Sequence, residues 1–112
     1  MLWELGLVIL YGVWFTRRYL PMDSQRIPLG REFLSAIQTH HLWTRYATCG
    51  WCALWNGSAG GGVPAFVDPH GSMLHPIVAL TTLIWGVNHG AKVALVISFA
   101  LAGVAVWWLA KE

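Results

Sequence analysis

Residues 93–110 read VALVISFALAGVAVWWLA, eighteen positions without a charge. As an α-helix rising 1.5 Å per residue, this run covers ~27 Å, close to the hydrocarbon thickness of a bilayer. The pair Trp107–Trp108 falls where an interfacial aromatic belt belongs, and Lys111 and Glu112 follow at headgroup level. We expect a transmembrane helix over residues 91–110. Composition agrees with it: 56% of the 112 residues are hydrophobic and 11% are charged, against about 45–50% and about 25% in soluble domains. So little charge excludes a disordered tail, and a net charge of +2 gives no reason to expect a nucleic-acid partner.

A second apolar block, residues 5–16, lies between Glu4 and Arg17 and covers only ~18 Å as helix. Counted from residue 1 it approaches a span, with Glu4 near the interface. A signal peptide would carry its basic residues before the apolar run, whereas here Arg17 and Arg18 follow it. We read residues 1–16 as a first, short transmembrane helix, and the chain as a portion of a larger polytopic protein. A third apolar block, residues 73–88, begins near Pro76 and ends at Asn88, His89 and Gly90, which are helix-start and helix-stop signals. It is short for a span and suits an interfacial or re-entrant helix, with a third full span as the other reading. The fold class expected is therefore an all-α membrane protein.

Between the spans, residues 17–72 hold five of the seven basic residues, both Asp and both Cys. Phe33, Leu34, Ile37, His41, Leu42 and Arg45 recur at helical spacing, which predicts an amphipathic helix over about 30–46 lying along the membrane surface. Arg31, Arg45 and the pair His40–His41 are expected on or near its polar side. Residues 49–62 cannot form a regular helix because of Gly57 and the glycines at 60–62, and residues 63–72 read as extended chain and turns. Five Arg argue for a cytoplasmic loop, but that rule weakens for loops near ~60 residues, so charge leaves the orientation open.

Cys49 and Cys52 have the C-x-x-C spacing of a redox disulfide or half of a zinc site. No βαβ context surrounds them, Ala53 stands where c-type haem attachment needs His, and His40 and His41 match no common zinc spacing. Two small side chains in a packed loop are the favoured reading. Asn56-Gly57-Ser58 is a chance-prone glycosylation sequon, and the glycines at 60–62 lack the Lys and Ser/Thr of a phosphate loop. Asp23 carries more information. It falls just beyond the first span, where a carboxylate must be solvated, paired or metal-bound. Arg17, Arg18 and Arg26 are near enough in sequence to pair with it. A solvated loop acid and a functional one are equally open for Asp23, and for Asp68.

Ala53-Leu54-Trp55-Asn56, a Gly-rich gap, the string Gly62-Val-Pro-Ala-Phe-Val-Asp68-Pro-His-Gly-Ser72 and then Leu74-His75-Pro76 before an apolar helix resemble the first outer loop of GT-C membrane glycosyltransferases. The likeness is closest to the YfhO-like branch and covers roughly residues 20–110. Gly57 in place of Pro, His75 in place of an aromatic residue, and the Cys pair depart from that pattern. The resemblance implies an enzyme that moves a sugar from a polyprenyl-phosphate donor to an acceptor on the outer face of the cell membrane. Its partners would be the bilayer, the lipid-linked donor and the remaining helices of the full-length protein. It implies Asp23 as the catalytic acid, serving as general base for the acceptor hydroxyl or holding a divalent cation on the phosphate. It further implies Arg26, Arg31, Asp68 and His70 as substrate-binding residues, with arginines neutralising the departing phosphate. Residues 17–90 would then face outward. The chain by itself is expected to be inactive, because later helices complete the donor groove. The alternative is a small non-catalytic membrane subunit that packs its Gly- and Ala-rich last helix on a larger complex.

Overall fold

The computed structural model describes residues 2–23, 31–57, 60–67 and 73–112, with the backbone alone at 31, 32, 34 and 35. The chain is mostly helical. Helix α1 covers Leu2–Thr16 and runs into a single 3-10 turn, Arg17–Tyr19. Helix α2 covers Arg31–Cys49 and is continued by a 3-10 segment, Gly50–Leu54. Strands β1 (Trp55–Asn56) and β2 (Val63–Pro64) form a two-residue antiparallel ladder pairing Trp55 with Pro64 and Asn56 with Val63. The last element, α3, runs over Pro76–Leu109.

Helix α3 is the one helix among the described residues that is long and apolar enough to cross a membrane. Its most apolar stretch is only 17% buried, which is the reverse of a soluble core helix, whose apolar faces are covered. It is not straight. Gly86 has φ 76° and ψ −174°, a conformation open to glycine and strained for any side chain. Residues 81 and 90 would stand ~13 Å apart along an unbroken helix. Instead, a Cβ placed on Gly90 would lie 2.7 Å from the Thr81 carbonyl oxygen and 2.9 Å from the Thr82 Cα. The chain has folded back at Gly86 into two arms, residues 76–85 and 87–109, whose backbones touch near the bend. Asn88, His89 and Gly90 read as a helix stop in sequence, yet they lie inside the second arm, one turn past the bend.

Each arm has its own partner. The second arm runs antiparallel to α1, and small residues let the two approach closely. A Cβ on Gly12 would meet the Ala100 Cα at 3.3 Å, and one on Gly103 would meet Val8 at 2.9 Å. At one end of this pair, Glu4 accepts an ion pair from Lys111 at 2.7 Å and a hydrogen bond from Trp107 Nε1 at 3.3 Å. The Lys111 ammonium also lies over the Trp107 ring. The first arm packs against α2. Trp43 Nε1 donates to the Met73 carbonyl at 2.8 Å, and Leu42, Ala65 and Met73 form a small buried cluster beneath Leu54.

Gly90→Ala is expected to cost about 1–3 kcal/mol, because the added methyl meets backbone that cannot move aside. Gly6→Ala in α1, where nothing lies within 4 Å of the new methyl, should be neutral or stabilising by a few tenths to about 1 kcal/mol. Thermal unfolding of both variants in the same detergent compares them directly.

Candidate functional site

Lys92 opens the second arm of α3 and is 3% exposed, although it is a charged residue in an apolar helix. A buried ammonium is tolerated only where acceptors replace its water. Here the backbone supplies them. Lys92 Nζ donates to the carbonyl of Pro21 at 2.9 Å and to the carbonyl of Asp23 at 2.7 Å. These residues follow the 3-10 turn that ends α1, where carbonyls have no further helical turn to accept from. The segment carrying Asp23 is thereby fastened to the far end of the chain, while Asp23 itself is exposed.

A second polar contact lies in the α2 layer. His40 is 4% exposed, and its Nδ1 is paired with Thr82 Oγ1 of the first arm. The Thr82 hydroxyl already donates to the Val78 carbonyl at 2.7 Å. It can therefore only accept from the imidazole, so His40 carries a proton on Nδ1. Burial, with a smaller contribution from neighbouring His41, pushes its pKa down to about 4. This corrects the expected place of His40, which is buried with Thr39 and Leu42, while His41 and Arg45 are exposed. The helix offers a histidine to α3 because Thr82 gives that histidine a partner.

Cys49 and Cys52 form a disulfide across the junction of α2 with the 3-10 segment. The favoured expectation of two unbonded small side chains is thereby corrected. Both residues are exposed. Cys49 closes α2 and is also the N-cap residue of the 3-10 segment. The pair acts as a staple at this corner.

Of the residues expected to act on a substrate, Asp23 is fastened as described. Arg31 begins α2, with its side chain outside the described residues, as are Arg26, Asp68 and His70. Among the described residues no three His, Cys, Asp or Glu side chains gather where they could hold a metal ion. Lys92 and the His40–Thr82 pair were not singled out in the sequence. A lone Lys in the first turns of the longest apolar run was the available signal, since intramembrane charges seldom occur without a function. No protein-family model, curated protein or solved structure matches the chain.

The depressed pKa of His40 sets a pH window. The unfolded chain binds a proton at the ordinary histidine pKa near 6.5 and the folded chain only near 4. Stability is therefore fully present above pH 6.5, falls as pH drops from 6.5 to 4, and levels off below that, with a total change of up to about 3 kcal/mol. His40→Gln, whose amide can still donate to Thr82, should flatten this part of the curve of unfolding temperature against pH.

Proposed function

We propose that the chain is the N-terminal part of a GT-C-type membrane glycosyltransferase, in which α1 and the second arm of α3 cross the bilayer and residues between them face outward. The observation that carries this reading is the fastening of Asp23 to Lys92. Along the second arm, Lys92 and Lys111 are ~28 Å apart, and Lys111 is paired with Glu4 at the start of α1. The two polar contacts thus bracket an apolar length that matches the ~30 Å hydrocarbon core of a bilayer. Asp23 then falls at headgroup depth on one side, the level at which a polyprenyl-phosphate donor presents its sugar–phosphate bond. The disulfide Cys49–Cys52 supports an outward loop, since disulfides persist in oxidising compartments.

In this reading the acceptor hydroxyl gives its proton to the Asp23 carboxylate as its oxygen attacks the sugar C1. The C1–O bond to the carrier phosphate breaks, and polyprenyl phosphate leaves with the bonding pair. Arg26 and Arg31, which follow the segment in sequence, would balance the charge of that phosphate. Asp68 and His70 would contact the sugar or the acceptor. Later helices of the full-length protein would close the donor groove.

A second reading, a non-catalytic subunit, is favoured by one observation. An apolar groove of about 430 Å³ runs along the α1–α3 pair, lined by Val8, Tyr11, Phe15, Phe99, Ala102 and Val106 among others, and a partner helix could fill it. Asp23→Asn in the complete open reading frame separates the two. Transfer of labelled sugar from a polyprenyl-phosphate donor in membrane vesicles should fall by about 10² or more, as for loss of a general base, at an unchanged protein level in the membrane. Undiminished transfer would remove Asp23 from the chemistry. No transfer from the wild-type protein with any such donor, together with co-purification in a larger complex, would favour the subunit.

A further inference from the structure

We propose that Lys92 is a positioning residue whose ammonium, by holding the carbonyls of Pro21 and Asp23, fixes the chain leaving α1 and with it the Asp23 carboxylate. The proposal rests on the role given above to Asp23 and adds the residue that sets its place.

Three observations converge on it. First, the contact joins residues 69 and 71 positions apart in sequence, so it is tertiary and not a local helix cap. Second, the two acceptors flank Met22, and bonds to both restrain the turn of chain between them, where one bond would leave it free to swivel. Pro21 stiffens that turn further, because its ring fixes φ. Third, the base of Lys92 sits beside a closely packed bend. It lies two residues beyond Gly90, whose backbone is pressed against Thr81 and Thr82 at the bend, so the ammonium position is set by the folding back of α3. Asp23 is exposed, and Lys92 bonds it through its backbone carbonyl. The ammonium therefore acts on Asp23 through its backbone and does not itself occupy the carboxylate.

A charge-assisted pair of bonds of this kind is short and directional, and displacements near 1 Å at a reacting group cost on the order of 10²-fold in rate. Removing the ammonium should therefore act on the chemical step and leave substrate binding alone. A residue that merely stabilised the fold would lower the amount of active protein without changing the mobility of residue 22 in the protein that remains.

The test uses the complete open reading frame in vesicles, with Met22→Cys, at an exposed position, carrying a nitroxide. Lys92→Met should sharpen the spectrum of the label, reporting reorientation several-fold faster. It should also lower kcat by about 10–10² with KM unchanged, the range expected for a misplaced reacting group. Lys92→Arg, which keeps a charged donor able to reach both carbonyls, should restore the broad spectrum and most of kcat. Should Lys92→Met fail to insert, Lys92→Gln replaces it, with the same outcomes expected. An unchanged spectrum in the neutral variant overturns the proposal, as does a raised KM at constant kcat. The Asp23→Asn result is read separately: if that variant transfers sugar normally, the role of Asp23 falls, while the nitroxide spectrum still decides whether Lys92 fastens the segment.

Discussion

A buried ammonium has to be surrounded by acceptors, and Lys92 obliges the fold to provide them. Neither neighbouring turn of its own helix can do so, because helical carbonyls are already paired within the helix. The carbonyls available lie where α1 ends, in a stretch where a proline and a 3-10 turn have broken the helical ladder. The cation of one segment and the unpaired carbonyls of another complete each other. Their meeting brings the start of the second arm of α3 beside the end of α1, and the Glu4–Lys111 pair joins the opposite ends of the same two helices. Between these contacts the packing needs no polar group, only residues small enough, such as Gly12, Ala100 and Gly103, for the helices to come close.

The bend at Gly86 distributes the apolar sequence between two environments. Without it, α3 would be a rod of ~50 Å, longer than any bilayer core. With it, the second arm retains ~34 Å for α1, and the first arm turns back to receive α2. The hydroxyls that become buried there are satisfied without water: Thr81 and Thr82 donate to carbonyls one turn back in their own helix, at 2.8 and 2.7 Å. Thr82 then has lone pairs left for His40 of α2. Apolar contacts, a tryptophan–carbonyl bond from Trp43 and one neutral histidine hold the α2 layer, and the disulfide at Cys49 limits how far its end can unwind. The connection proposed between this layer and sugar transfer is positional, through the packing of α2 on the first arm of α3.

Several features were legible because they depend on neighbours in sequence alone. The uncharged stretch after residue 92 is long and continuous, and α3 contains it. The glycines after Cys49 prevent an α-helix, and only 3-10 turns and a two-residue ladder occupy that part of the described chain. The place of His40 on α2 was not legible. Hydrophobic spacing ranked His40 with the polar residues, since a histidine has no inherent preference for the interior, and only the presence of Thr82 across the interface makes its burial tolerable. The disulfide was likewise hidden, because C-x-x-C spacing is shared by redox pairs, metal ligands and bystanders. The position of the bend was obscured by Asn88, His89 and Gly90, which are better stop signals than Gly86. Gly90 serves instead to admit the opposing backbone.

By itself the sequence determined that this chain is helical, that one helix is apolar over a membrane's thickness, and that acid and arginines follow the first apolar block. Those are consequences of composition and periodicity, which act over a few turns. Tertiary structure alone decided that Lys92 reaches Asp23, that His40 is neutral and that α3 doubles back. Each of these depends on which groups meet across many tens of residues, where the free energy of a buried polar atom is set by its partner and not by its own identity.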